Sequence, residues 1–173
     1  LYVLRVRDGT APAERVRAWT PAVDGIREVL HARFVDYAYP MHVHDVWTVL
    51  IVDDGAIHFD LDRRHHDGRT STVTVLPPHV AHDGRAAGPG GFRKRVLYLD
   101  ESLIPERAIG HAVDGPGIAD PALRVAIDDL HARLQEPPDA LDLETRLALV
   151  SERLRAHLAV PDTATPAATT AAD

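Results

Sequence analysis

The sequence predicts a mainly β domain, an antiparallel barrel or jelly roll over about residues 20–100 followed by two C-terminal α-helices. Apolar and polar residues alternate in short runs between residues 26 and 100, and Gly and Pro turns break those runs. Beyond residue 118 the apolar period changes from two to that of a helix. A chain of 173 residues, 45% hydrophobic and 26% charged, suits one domain with a short appendage and is long enough to bury a core.

Residues 1–18 read as an N-terminal arm that adds an edge strand, with Trp19 as its anchor. From Ile26 to Tyr39, Leu30, Ala32 and Phe34 alternate with Val29, His31 and Arg33, which predicts a strand with His31 on its surface. Residues 40–52 read as the next strand, ending at Asp53-Asp54-Gly55. Ile57, Phe59 and Leu61 then alternate with His58, Asp60 and Asp62, a half-buried strand with His58 outward. Arg63 to Arg69 read as a hairpin turn that leaves His65 and His66 to solvent. Strands around Val73–Leu76 and Phe92–Asp100 follow, separated by Pro77-Pro78, by an exposed His79 and by the loop Gly88-Pro89-Gly90-Gly91.

The helical part begins with Asp120 as N-cap and Pro121 at the first helical position; Leu123, Ala126, Ile127, Leu130 and Leu134 form its apolar stripe. Pro137-Pro138 ends that helix, and a second carries the stripe Leu143, Leu147, Val150, Leu154, Leu158. The expected division is therefore an arm (1–18), a barrel (19–118), a helical hairpin for dimerisation (119–158) and a linker or disordered tail (159–173). The dimer interface is expected at Leu143, Leu147, Val150 and Leu154.

Chemistry concentrates in residues 40–52. On a strand, His42 and His44 point the same way, with Val46, Thr48 and Leu50, while Val43, Trp47, Val49 and Ile51 point the other way. A third imidazole, His82, follows the Val73–Leu76 strand and its turn. Three imidazoles converging in a small barrel make either a metal site or the polar end of a ligand pocket. A blander outcome is hydrogen bonding within the barrel mouth. The absence of Cys excludes disulfides and thiolate ligands, so His, Asp and Glu are the strong ligands left. The cluster suits Zn²⁺, Ni²⁺ or Fe²⁺, with occupancy expected to fall below the usual His pKa of roughly 6.5.

A net charge of −7 argues against gripping a polyanion through a broad basic surface. The short clusters Arg63-Arg64-His65-His66 and Arg93-Lys94-Arg95 read as solvated turn or strand faces. No apolar run approaches membrane-spanning length, and Leu1–Arg5 lacks a signal-peptide layout, so a cytoplasmic protein is expected.

Several motifs, taken together and in order, resemble the N-terminal sensor domain of AraC-type transcriptional regulators. They are Trp19 and Pro21, then His42-x-His44-Asp45 with its apolar strand to Gly55, then Pro78 and His82-Asp83-Gly84-Arg85-Ala86. Gly91-Phe92-Arg93 leading into Val96-Leu97-Tyr98-Leu99-Asp100 and the two helices complete the resemblance. It implies a cupin-like barrel that binds a small effector, helices that dimerise, and no catalysis. It also implies DNA contact only through a separate C-terminal helix-turn-helix domain, which is not among these residues. Residues 120–158 make a poor substitute for that domain, with eight acidic and five basic residues and a Pro-Pro junction. The rival reading is a cupin-type metalloenzyme of the oxygenase or isomerase class. Against it, residues 45–52 lack the Glu of the usual ligand set, and no acid or base can be named beside the metal.

Overall fold

The computed structural model describes residues 14–158. The expected tail and residues 1–13 of the expected arm lie outside that range. In chain order the strands are β1 (Arg15–Trp19), β2 (Ile26–Phe34), β3 (Tyr39–His42), β4 (Trp47–Gly55) and β5 (Ile57–Leu61). They continue with β6 (Arg64–Gly68), β7 (Val73–Leu76), β8 (His82–Ala86) and β9 (Phe92–Leu99). A short helix α1 (Ile109–Asp114), a two-residue strand β10 (Gly117–Ile118), α2 (Pro121–Arg133) and α3 (Ala140–Leu158) complete the domain.

The strands form two facing sheets, one ordered β1-β2-β9-β4-β7-β10 and the other β3-β8-β5-β6. Every pairing is antiparallel. The alternation of the central strands feeds two separate cores. Ala32, Phe34, Leu50, Val52, Val96 and Phe92 point between the sheets, where they meet Ile57, Phe59 and Leu61. Val29, Val49, Ile51, Leu97 and Leu99 point the other way, onto the helices. Gly55 and Gly91 have φ of 74° and 71°, and a Cβ on either would lie 2.2 or 2.0 Å from a backbone oxygen. Both glycines therefore allow the tight approach at the end where β9 enters between β2 and β4.

The structure revises several readings. Residues 40–52 are not one strand. β3 belongs to the small sheet and β4 to the large one, and residues 43–46 cross between them outside regular structure. The hairpin turn is only Asp62-Arg63, both with positive φ (47° and 64°), as a two-residue turn between right-twisted strands requires. Residues 64–68 are strand β6, at the sheet edge, where a polar sequence is tolerated. The basic run on β9 is a solvated face only at Arg93: Arg95 donates to both oxygens of Asp53 (2.9 and 2.6 Å) and to Asp128 of α2.

The helices cover the outer face of the large sheet. Asp120 caps α2 through Oδ1, which accepts from the N–H groups of Ala122 and Leu123 at 2.9 and 3.1 Å. Leu143, Leu147, Val150 and Leu154, expected at a dimer interface, are instead 3%, 4%, 0% and 0% exposed in the domain's own core. The stripe is consumed by the sheet that it covers. The large exposed apolar residues of α3 are Leu141 and Leu149.

His31 is likewise not a surface residue. Its Nε2 lies 3.2 Å from Nδ1 of the fully buried His131 of α2, and its ring packs edge-on against Trp19. Burial lowers the pKa of both rings, as does the nearby Arg95. When the folded pKa is depressed, the unfolded chain takes up protons first, so stability is lost as pH falls below roughly 6.5. Urea denaturation should therefore show a less stable domain at pH 5 than at pH 7, with a smaller loss in His131→Leu. An equal loss in that variant would clear the pair of responsibility.

Candidate functional site

The local geometry explains why three imidazoles meet. β3 and β8 pair with His42 opposite His82, placing those rings side by side at 4.5 Å between centroids. His44 lies in the crossing between the sheets and turns back toward the same point, 4.9 Å from His42 and 5.3 Å from His82. The backbone there is pinned because His79 N–H donates to the His44 carbonyl at 2.8 Å. The rings close one end of a cavity between the sheets, walled by Leu50, Ile57, Phe59 and Phe92 and reached by Thr48, Lys94 and Tyr98.

Hydrogen bonds orient two of the rings. His42 Nδ1 lies 2.6 Å from the Pro40 carbonyl and His82 Nδ1 lies 3.1 Å from the Val80 carbonyl. A carbonyl only accepts, so each Nδ1 carries a proton, which leaves Nε2 as the nitrogen able to ligate. This is the arrangement by which metal-binding His residues are held, the second nitrogen tied to an outer partner. His42 Nε2 and His44 Nε2 are 3.2 Å apart. Two nitrogens on one tetrahedral Zn²⁺ would be separated by roughly 3.3 Å. Ligand atoms of all three residues lie within 4.8 Å of one another. The donor set thus fits a divalent transition metal held by three imidazoles, with a remaining position for water or ligand.

Burial lowers the pKa of His44, and that of His82 to about 4, so both rings are neutral at pH 7 as ligation requires. Thr48 Oγ1 is buried without a hydrogen-bond partner among the described residues, and it lines the same cavity. An orphaned hydroxyl in a polar recess marks a place for a polar atom of water or ligand.

Sequence reasoning missed Lys94. It lies between Phe92 and Val96, both inward-facing, so strand alternation alone places it in the cavity. Its membership of a basic triplet obscured that. The expectation for the paired imidazoles of β6 also changes. His66 turns inward and stacks on Phe59, with Nε2 buried and without a partner among the described residues, whereas His65 faces outward. On that outer face His58, His65 and Asp67 form a second, exposed group with ligand atoms within 4.8 Å. His58 Nδ1 donates to Asp67 Oδ1 at 2.7 Å, and that carboxylate also accepts from Arg69.

The profile of the AraC-like ligand binding domain matches residues 25–150, which span the cavity, α2 and the first part of α3. The chain belongs to that family. The AraC-like transcriptional activator CuxR has the same fold, with a TM-score of 0.66 at 14% identity over 94% of this chain. The match covers 64% of CuxR, so the chain spans less than two thirds of that regulator's length. A cupin superfamily protein from Desulfitobacterium hafniense (TM-score 0.45, 18% identity, 54% of this chain and 84% of that one) is also similar. So is KdgF from Halomonas sp. (TM-score 0.41, 18% identity, 56% and 86%). No curated protein matches the sequence. This AraC-type ligand-binding domain is an effector-sensing module built on two facing antiparallel sheets.

Proposed function

We propose that this domain senses a small effector between its sheets, on the imidazoles of His42, His44 and His82, and transmits the bound state through its helices to a DNA-binding partner segment. The observation that carries this reading is the cavity itself, with convergent imidazoles and an orphaned Thr48 hydroxyl inside an AraC-type fold. A divalent transition metal on the three rings would give the effector an anchoring atom. The helices are well placed to report on it, since Arg124 of α2 approaches Asp53 on β4, a strand that also lines the cavity, and Arg95 of β9 bridges that same Asp53 to Asp128 of α2.

The domain acts as a homodimer in the cytoplasm, joined through the outer face of α3 at Leu141 and Leu149. Among the described residues no helix is long and apolar enough to cross a membrane. The catalytic alternative, a cupin-type metalloenzyme, is disfavoured by family membership and by the lack of a free carboxylate in the cavity among the described residues. Its one carboxylate, Asp83, accepts from the Asp60 N–H at 2.8 Å and lies 3.8 Å from Arg85.

Thermal-shift measurements against a panel of small metabolites, with the metal-loaded domain, test the sensing reading. A ligand at a hundred times its Kd adds about 2.7 kcal/mol, hence a rise of roughly 5–10 °C for a chain of this size. The response should vanish in His82→Ala. A hit that stabilises that variant equally would place binding elsewhere, and turnover of a hit would favour the enzyme.

A further inference from the structure

We propose that the effector carries an anionic group, a carboxylate in the simplest case, and that Lys94 is the counter-ion awaiting it. This rests on the sensing reading above and goes further by naming the chemical class of the ligand. Three observations support it.

First, the ammonium is directed into the cavity and has no partner there. Lys94 lines the cavity, yet it makes no ion pair or hydrogen bond among the described residues. Across the sheet its neighbours are Ala32 on β2 and Val52 on β4, which have nothing to offer a charge. Its Nζ sits 4.3 Å from the centre of the Tyr39 ring. That contact is worth about 0.5–2 kcal/mol, less than full compensation for a desolvated ammonium.

Second, its neighbours show what this strand does with charges when a partner is wanted. Arg93 and Arg95, directly before and after it, both reach Asp53 on the opposite face, at 3.9 and 2.6 Å. Lys94 alone of the three is left without an acid. The carboxylate nearest in role, Asp83, is already held by the Asp60 N–H.

Third, the one carboxylate of the cavity among the described residues, Asp83, is engaged by the Asp60 N–H at 2.8 Å and faces Arg85 at 3.8 Å, and it makes no ion pair with Lys94. Tyr98 stays protonated because burial raises its pKa to about 12. Burial lowers the pKa of Lys94 to about 8, which leaves most of it charged at pH 7. A metal on the imidazoles would only increase the positive field. The requirement for an anion therefore holds with or without metal. A partly buried ammonium with no acid beside it gives up some of its hydration in the free domain, and a ligand that supplies the opposite charge offsets that loss on binding.

Matched probes decide it. Acetate against acetamide, and benzoate against benzamide, would be titrated at pH 7 and constant ionic strength, with side-chain NMR of the cavity residues as readout. The wild type should bind each acid at least about tenfold more tightly than its amide, in line with the strength of a charge-assisted hydrogen bond. Lys94→Met and Lys94→Gln should abolish that preference; two variants guard against a folding defect in either one. Equal affinity for acid and amide, or a preference that survives both substitutions, overturns the anion proposal while leaving a neutral effector and the sensing reading in place. Cavity resonances indifferent to all four probes would overturn the proposal and count against the sensing reading as well.

Discussion

Leu154→Asp should unfold the domain, whereas Leu149→Asp should leave it folded. Leu154 is fully buried between α3 and the large sheet. Truncating a buried Leu costs about 2–5 kcal/mol by itself, and burying a carboxylate adds several more. A domain of this kind is stable by only about 5–15 kcal/mol, so the substitution uses most or all of that margin. Leu149 points away from the core and is 54% exposed, so a carboxylate there stays hydrated. Circular dichroism melts compare the two variants, and a cooperative, wild-type-like transition in Leu154→Asp would show that the stripe is not core. Light scattering adds the second half of the test. If Leu141 and Leu149 hold two copies together, wild type is a dimer and Leu149→Asp a folded monomer; a monomeric wild type refutes that interface.

The contrast between those two leucines shows what the sequence made legible. The period of the α3 stripe correctly identified which residues share a face. Periodicity says that a face is buried without saying by what, so the same stripe read equally well as a dimer seam and as a sheet contact. The exposed sheet face of Val49, Ile51, Leu97 and Leu99, which needed a cover, was equally visible in the alternation, and only their juxtaposition settles the matter.

The site was legible for a similar reason and to a similar extent. Parity paired His42 with His44 even though the strand breaks between them, because residues 43–46 restore the direction as they cross the sheets. His82 was found from its position after a turn, and the β3–β8 register sets it directly opposite His42. What parity could not supply was the mate of His31, since α2 lies a hundred residues away in sequence and His131 reads as one more residue of a helix. Lys94 was missed for a different reason. A triplet of cations was read as one surface feature, although adjacent residues on a strand point to opposite faces.

The metal prediction follows from the same geometry and is sharpened by burial. Purified domain supplied with Zn²⁺ or Ni²⁺ should take up one ion on His42, His44 and His82, as measured by mass spectrometry after dialysis. His44→Ala or His82→Ala removes a direct ligand, and the loss of affinity should exceed the roughly 10–100-fold seen when only an outer partner is removed. The exposed group of His58, His65 and Asp67 is the internal control, so His65→Ala should leave uptake unchanged. From residue types alone, occupancy would be expected to fall once pH drops below roughly 6.5. In the folded domain, burial holds the pKa of His82 near 4 and lowers that of His44, so protons compete for these two nitrogens only at lower pH. Metal should therefore remain bound at pH 6 and be released as pH approaches 4. Uptake that is undiminished in His44→Ala but lost in His65→Ala would move the site to the outer face of the β5–β6 hairpin, and no uptake by wild type would leave the three imidazoles as the polar end of an organic pocket.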